Sequence, residues 1–130
     1  MNSVDTNVLA RYVMQDDPVQ SPIATEFLAT QSCYVADTVL LETAWLLSST
    51  YRIGRRELAM ILRGIVELPN IMVSDKMMID WALDRFLAGG DFADMLHIGT
   101  ARHTDAFVSF ETRLKELAGA HAPTPVRHLA

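Results

Sequence analysis

The sequence has few of the features needed for cross-linking, membrane insertion or a broad basic surface. Its single cysteine, Cys33, rules out an internal disulfide and fits a reducing compartment. No apolar run approaches the ~18 residues that a membrane span needs, and no basic-then-apolar leader opens the chain. Acidic side chains outnumber basic ones by 16 to 11, a net charge of −5, which argues against a surface that wraps nucleic acid. We therefore expect a soluble, cytoplasmic protein without membrane contact.

The 130 residues suit one folded domain, and we expect a single domain over residues 1–130. Half of the residues are apolar, which is enough for a hydrophobic core and excludes general disorder. Cys33 lies within an apolar stretch, so a buried structural thiol is the expectation there.

Short β-like runs alternate with longer helical patterns, without internal repeats. The expected strands are a very short first strand ending at residue 4, then 33–36, 71–73, 106–109 and 125–129. The expected helices are 7–14, 19–30, 38–51 (capped by Asp37 or Thr38), 55–68, one capped by Ser74 or Asp75 that runs to residue 87, and 91–103. This alternation predicts an α/β fold, a three-layer α/β/α arrangement around a central, mainly parallel sheet of about five short strands.

Acidic residues occur where such folds bind ligands, beyond the carboxyl ends of strands. Asp5 follows the first strand, Glu111 follows the fourth, and Asp94 lies in the first turn of a helix. Each also has an ordinary alternative. Asp5 and Asp91 suit helix N-caps, Asp94 is favoured by the helix dipole, and Glu111 can be a solvated acid.

Glu42 interrupts the otherwise apolar helical run 39–47. A glutamate buried without a partner is costly, so this position favours a carboxylate that points into a polar pocket. The alternative is a narrow polar face formed with Thr43 and Ser49. His97, three residues after Asp94, is better explained as a core or supporting histidine than as a ligand of a hard cation.

Four segments taken together resemble the PIN-domain family, in particular the VapC-like toxins of type II toxin–antitoxin pairs. They are VDTNVL (4–9), LETAWLL (41–47), DFADMLH (91–97) and FVSFE (107–111). The first strand departs from the family pattern, because Asn2 and Ser3 are polar where apolar residues are usual. Glu111 occupies a position where the family more often has aspartate.

The resemblance implies a metal-dependent endoribonuclease that uses one or two Mg²⁺ or Mn²⁺ ions and leaves 5′-phosphate and 3′-hydroxyl ends. It also implies an RNA substrate, a cognate antitoxin protein and a homodimer formed through helices; helix 38–47 with Trp45 fits either such an interface or the core. The implied catalytic and metal-binding acids are Asp5, Glu42, Asp94 and Glu111. The implied auxiliary residues are Asp91, Thr6 and Ser109.

Candidate phosphate contacts are Arg11, Arg85, Arg102 and Arg113, although ordinary solvated surface charge is the better explanation for any one of them. Two other phosphoryl-transfer folds fit less well. A receiver domain needs a lysine after the last strand, and no lysine follows Lys115; a haloacid-dehalogenase-type phosphatase needs an acid where Asn7 stands. A catalytically silent PIN-like binding module is the remaining alternative.

Overall fold

A computed structural model describes residues 1–130, in which five short strands alternate with seven helices. The chain divides into two compact units, residues 1–74 and residues 75–130. The first unit contains β1 (Asn2–Ser3), α1 (Thr6–Met14), α2 (Gln20–Thr30), β2 (Cys33–Tyr34), α3 (Asp37–Ser49), α4 (Arg55–Val66) and β3 (Ile71–Met72). The second contains α5 (Lys76–Leu87), α6 (Phe92–Thr100), β4 (Phe107–Ser109), α7 (Leu114–Ala118) and β5 (Val126–His128). No helix is both long enough and apolar enough to cross a membrane.

The strands of the first unit form a parallel sheet in the order β1-β2-β3. Cys33 pairs with Asn2 on one side and with Ile71 on the other. Since parallel strands end at one edge of a sheet, the loops after them begin side by side. The Ser74 hydroxyl, after β3, accordingly donates to Asp37, after β2, at 2.6 Å. Asp5 follows β1 in the same way.

The helices of the first unit bury apolar side chains at helical spacing. In α4, Leu58, Leu62 and Ile65 recur every three or four residues and all three are buried. Helix α1 packs against α2 and α3, and α3 packs against α4. Cys33 is fully buried and its thiol lies 3.4 Å from the Gln31 carbonyl oxygen, which confirms the predicted structural thiol.

In the second unit, α5 packs against α6, β4 pairs in parallel with β5, and α7 packs against β5. Phe86 and Phe92 meet edge to face with ring centroids 5.9 Å apart. The buried Thr124 hydroxyl donates to the Ile98 carbonyl at 2.7 Å, which ties the segment before β5 to α6. The strands of this unit form their own two-stranded sheet.

Aspartate side chains start three of the helices. Asp5, Asp75 and Asp91 each accept a hydrogen bond from the backbone N–H three residues on, and so cap α1, α5 and α6. Helix α3 differs from the prediction. It begins at Asp37 after Ala36, whose methyl side chain cannot accept a capping bond, and the Asp37 carboxylate accepts from the Ser74 hydroxyl.

Other differences lie at element ends. Helix α6 ends at Thr100 instead of residue 103, and the Thr104 hydroxyl and N–H bond to the Ala101 carbonyl in a tight turn. The strands are shorter than predicted, although the Val4 N–H still bonds to the Tyr34 carbonyl beyond the ladder, at 3.1 Å. Helix α7 was not predicted.

Candidate active site

Asp5 is held at the start of α1 by its own capping bond. Its Oδ1 accepts from the Val8 N–H at 3.2 Å, so the capping interpretation of this residue is correct. The side chain is exposed, and its second oxygen makes no hydrogen bond within the protein. The cap therefore fixes the carboxylate while leaving one oxygen available to a ligand.

Thr6 and Glu42 connect α1 to α3. The Thr6 side chain is only 7% exposed, and its hydroxyl donates to Oε1 of Glu42. Glu42 itself is exposed. A hydroxyl fixed in the protein interior thus orients a carboxylate that faces solvent, and the second oxygen of Glu42 has no partner in the protein.

The narrow polar face considered for α3 is wrong. Thr43 is fully buried, and its hydroxyl donates to the Val39 carbonyl at 2.7 Å. The Ser49 hydroxyl likewise donates to the Trp45 carbonyl, at 2.7 Å. Both hydroxyls satisfy backbone of their own helix, so neither joins Glu42 in a polar stripe.

A polar cleft of about 270 Å³ brings these side chains together within the first unit. Its lining residues are Asp5, Thr6, Asn7, Glu42, Trp45 and Leu46. A larger groove of about 470 Å³ lies along α1 and α2, where Ile23 and Phe27 give it an apolar lining and Arg11 is its charged side chain. The smaller cleft therefore has the chemistry of an active site, because it holds two carboxylates.

Asp94 lies half-buried in the first turn of α6, beside the cap residue Asp91. Asp91 Oδ1 accepts from the Asp94 N–H at 2.9 Å. Partial burial raises the pKa of Asp94 above its ordinary value, and the nearby Asp91 and Glu111 carboxylates raise it further, against an opposing effect of His97. The cost of charge at Asp94 is a property that a bound cation would relieve.

Ser109 and Glu111 form a small turn after β4. The Ser109 hydroxyl accepts from the Glu111 N–H at 3.0 Å. Glu111 is exposed, and α7 begins three residues later, at Leu114. His97 is exposed as well, which corrects its assignment as a core histidine and leaves a supporting role near Asp94.

The candidate phosphate contacts all have protein partners. Arg11 bonds to Gln20 and pairs with Asp16, while Arg85 Nε donates to the Leu117 carbonyl at 2.8 Å. The two remaining arginines pair with carboxylates, Arg102 with Asp75 at 3.5 Å and Arg113 with Glu116 at 3.9 Å. These contacts make all four weaker candidates for binding phosphate.

The donor atoms fit a hard divalent cation. Carboxylate oxygens are the ligands that Mg²⁺ and Mn²⁺ prefer, and Asp5, Glu42 and Asp94 offer them at solvent-accessible positions. No three acidic, histidine or cysteine side chains form a group that could hold a metal ion in this structure.

Two cleft residues were not among the site residues predicted from the sequence. Asn7 lines the cleft next to Thr6, and Trp45, considered above as interface or core, is exposed beside Glu42. Trp45 could have been identified because it follows Glu42 by three residues, and residues three apart share a helix face.

Parallel strands followed by aspartate-capped helices, with Asp5 and Glu42 lining one polar cleft, define an α/β protein with an acidic cleft. Comparison with protein families matches residues 3–120 to the PIN domain, and the chain belongs to this family. The match confirms the expected fold class, an α/β/α fold with parallel strands, and decides against the receiver and phosphatase folds. A search of curated proteins finds no match. PIN domains are generally nucleases that use divalent metals, so the reaction class is hydrolysis of nucleic acid.

Proposed function

We propose that this protein is an Mg²⁺- or Mn²⁺-dependent endoribonuclease and the toxin of a type II toxin–antitoxin pair. One observation carries the proposal: the buried Thr6 hydroxyl holds the exposed Glu42 carboxylate in the same cleft as Asp5. A structural carboxylate does not need a buried hydroxyl to orient it toward solvent. A carboxylate that binds a cation benefits from that orientation, because a ligand that is already held in place loses little conformational entropy on binding.

Four acids are the proposed ligands. Asp5, Glu42 and Asp94 would hold one or two ions, and Glu111 is the fourth acid. The family match covers the positions of all four. The auxiliary residues are Thr6, which orients Glu42, Asp91, which fixes the start of α6, and Ser109, which fixes the turn before Glu111.

When bound, the cation lowers the pKa of a water molecule and stabilises the negative charge that develops at the scissile phosphate. The chain's own residues provide the order that this chemistry requires. The capping bonds of Asp5 and Asp91 and the Thr6 hydroxyl hold oxygen donors in place before substrate arrives. The products are a 5′-phosphate and a 3′-hydroxyl.

The partners belong to the same proposal. A cognate antitoxin masks the acidic groove, and a homodimer forms through helices. The protein acts in the cytoplasm as a single PIN-like domain over residues 1–130. The alternative, a silent PIN-like module, retains the fold without the need to bind a cation.

The deciding experiment incubates a structured RNA pool with wild type, Asp5→Asn, Asp94→Asn and the control Glu26→Gln, an exposed acid on α2. We expect discrete cuts with 5′-phosphates in Mg²⁺ or Mn²⁺ and none in EDTA. Each ligand variant should lose more than about 100-fold in rate, since a metal ligand contributes several kcal/mol to the transition state. Glu26→Gln should cut like wild type.

Full activity of Asp5→Asn or Asp94→Asn would contradict the assignment of these ligands. Absence of cleavage by folded wild type, together with no Mn²⁺ binding by calorimetry, would establish the silent module instead.

A further inference from the structure

Trp45 is a large apolar side chain that lies on the surface beside carboxylates. It is 66% exposed, whereas Leu40 and Leu47 of the same helix are completely buried. It follows Glu42 by three residues, so the two share a face of α3. The same cleft contains Asp5. Packing within the chain therefore does not explain an indole at this position.

The surroundings of Trp45 favour a nucleobase over an apolar protein surface. Four of the other five lining residues are polar or charged, and only Leu46 is apolar. The buried centre of a protein interface is apolar and poor in charged residues. An indole beside carboxylates suits a ligand that has a flat aromatic face and polar edges next to a phosphodiester.

We propose that Trp45 is a stacking platform for one unpaired base of the RNA substrate. This inference rests on the proposed ribonuclease function. Bases in a duplex already stack on their neighbours and offer no free face, whereas bases in loops and single strands can stack on an aromatic side chain. Trp45 thus holds one unstacked base next to the carboxylates of the cleft.

The first test compares Trp45→Phe and Trp45→Leu with wild type on an RNA that wild type cleaves, as a single strand and annealed to its complement. Loss of one stacked base should raise KM of Trp45→Leu by about 5- to 100-fold. The value of kcat should stay unchanged, because stacking holds ground state and transition state alike. Trp45→Phe, which keeps an aromatic face, should stay within a few-fold of wild type. Wild type should not cut the annealed duplex.

Met60→Leu provides the matched control, because Met60 is an equally exposed apolar side chain, 70% exposed on α4, that does not line the cleft. It should behave as wild type. A thermal melt of every variant verifies folding, which an exposed side chain should hardly affect.

The second test does not depend on cleavage. Phosphorothioate-linked single-stranded RNA, which resists hydrolysis, is titrated onto wild type in Mg²⁺ while tryptophan emission is recorded. Stacking should quench Trp45. In Trp45→Phe only Trp81 still emits, so the quenching should disappear.

The two proposals fail in different ways. If wild type cleaves no RNA, the ribonuclease function is wrong, and quenching of Trp45 would still support stacking. If wild type cleaves and Trp45→Leu has the wild-type KM, the stacking inference is wrong and the nuclease stands. A dimer that dissociates in Trp45→Leu, with KM unchanged, would also overturn the inference and assign Trp45 to a protein interface.

Discussion

Thr6 shows how one hydroxyl can matter more for a site than for the fold. Thr6→Val keeps the shape of the side chain but removes the donor to Glu42. We expect activity at limiting Mg²⁺ to fall about 10- to 100-fold, the usual effect of losing a group that orients a metal ligand. Stability should change by less than about 1.5 kcal/mol, because Glu42 is exposed and water can replace the hydroxyl. Metal-titrated kinetics and chemical denaturation measure the two effects.

Thr6→Ser is the matched control, since it keeps the hydroxyl and loses only a methyl group. It should retain most of the activity. Equal activity of the valine and serine variants would show that the bond to Glu42 has no role in the reaction.

Asp94 should make the metal-free protein less stable as pH rises. Burial and neighbouring carboxylates raise its pKa in the folded state, so folded protein binds the proton more tightly than unfolded protein does. Stability therefore falls as pH increases from the ordinary carboxyl pKa through the raised one. Asp94→Asn should melt at a slightly higher temperature than wild type at pH 7 without metal, and the difference should shrink toward pH 4.

With divalent metal, wild type should melt at a higher temperature than Asp94→Asn at pH 7, because wild type gains stabilisation from a metal ligand that the variant lacks. Melting curves at several pH values, with Mg²⁺ and with EDTA, test both statements. If Asp94→Asn were less stable than wild type at pH 7 in EDTA, the prediction for the metal-free protein would be contradicted.

At this scale the sequence predicted where the candidate acids stand but not all of their surroundings. Position alone favoured helix capping for Asp5 and a pocket-facing carboxylate for Glu42, and the resemblance to the PIN-domain family selected both as candidate ligands. The burial of Thr43 and the exposure of Trp45 were not predictable, because helical spacing defines faces without saying which of them the rest of the chain covers. The metal-binding roles remain predictions.

At the level of secondary-structure elements, the close packing of α5 against α6 can be tested by mutation. A Cβ added at Gly99 of α6 would lie 2.5 Å from Cγ of Met78 on α5, a buried side chain. Gly99→Ala should therefore destabilise the protein by about 1–3 kcal/mol through overpacking. In contrast, a Cβ at Gly64 in α4 meets nothing within 4 Å, so Gly64→Ala should stabilise by about 0.5–1 kcal/mol.

Chemical denaturation of both glycine variants provides the comparison, with each serving as the control for the other. A Gly99→Ala variant as stable as Gly64→Ala would mean that Met78 moves aside at no cost.

The order of elements was predictable because the long helices carry strong periodicity, as in α4 with its buried Leu58 and Leu62. Helix α7 was missed since its five residues complete fewer than two turns before Gly119, at φ 80°, ends it. The start of α3 was misplaced because the partner of Asp37 is Ser74, 37 residues away. Such tertiary partners leave no local signal in the sequence.

The charge of the whole molecule bears on how it would meet the proposed RNA substrate. The net charge is −5, and each of the four candidate arginines contacts a protein group. Bound cations would supply the missing positive charge. RNA binding should therefore depend more on bound divalent metal than on the protein's own basic side chains.

The same argument predicts that metal stabilises the folded protein by binding and not by screening. Mn²⁺ at 100 times its dissociation constant should add about 2.7 kcal/mol to the free energy of unfolding. KCl of equal ionic strength should add less, since it only weakens the repulsion among excess acids. Asp5→Asn and Asp94→Asn each remove one proposed ligand, while Glu26→Gln removes one negative charge without touching a proposed ligand. Both ligand variants should lose the Mn²⁺ effect and the control should keep it. If KCl matched Mn²⁺, or if only one of the two ligand variants lost the effect, a metal site that uses both Asp5 and Asp94 would be ruled out.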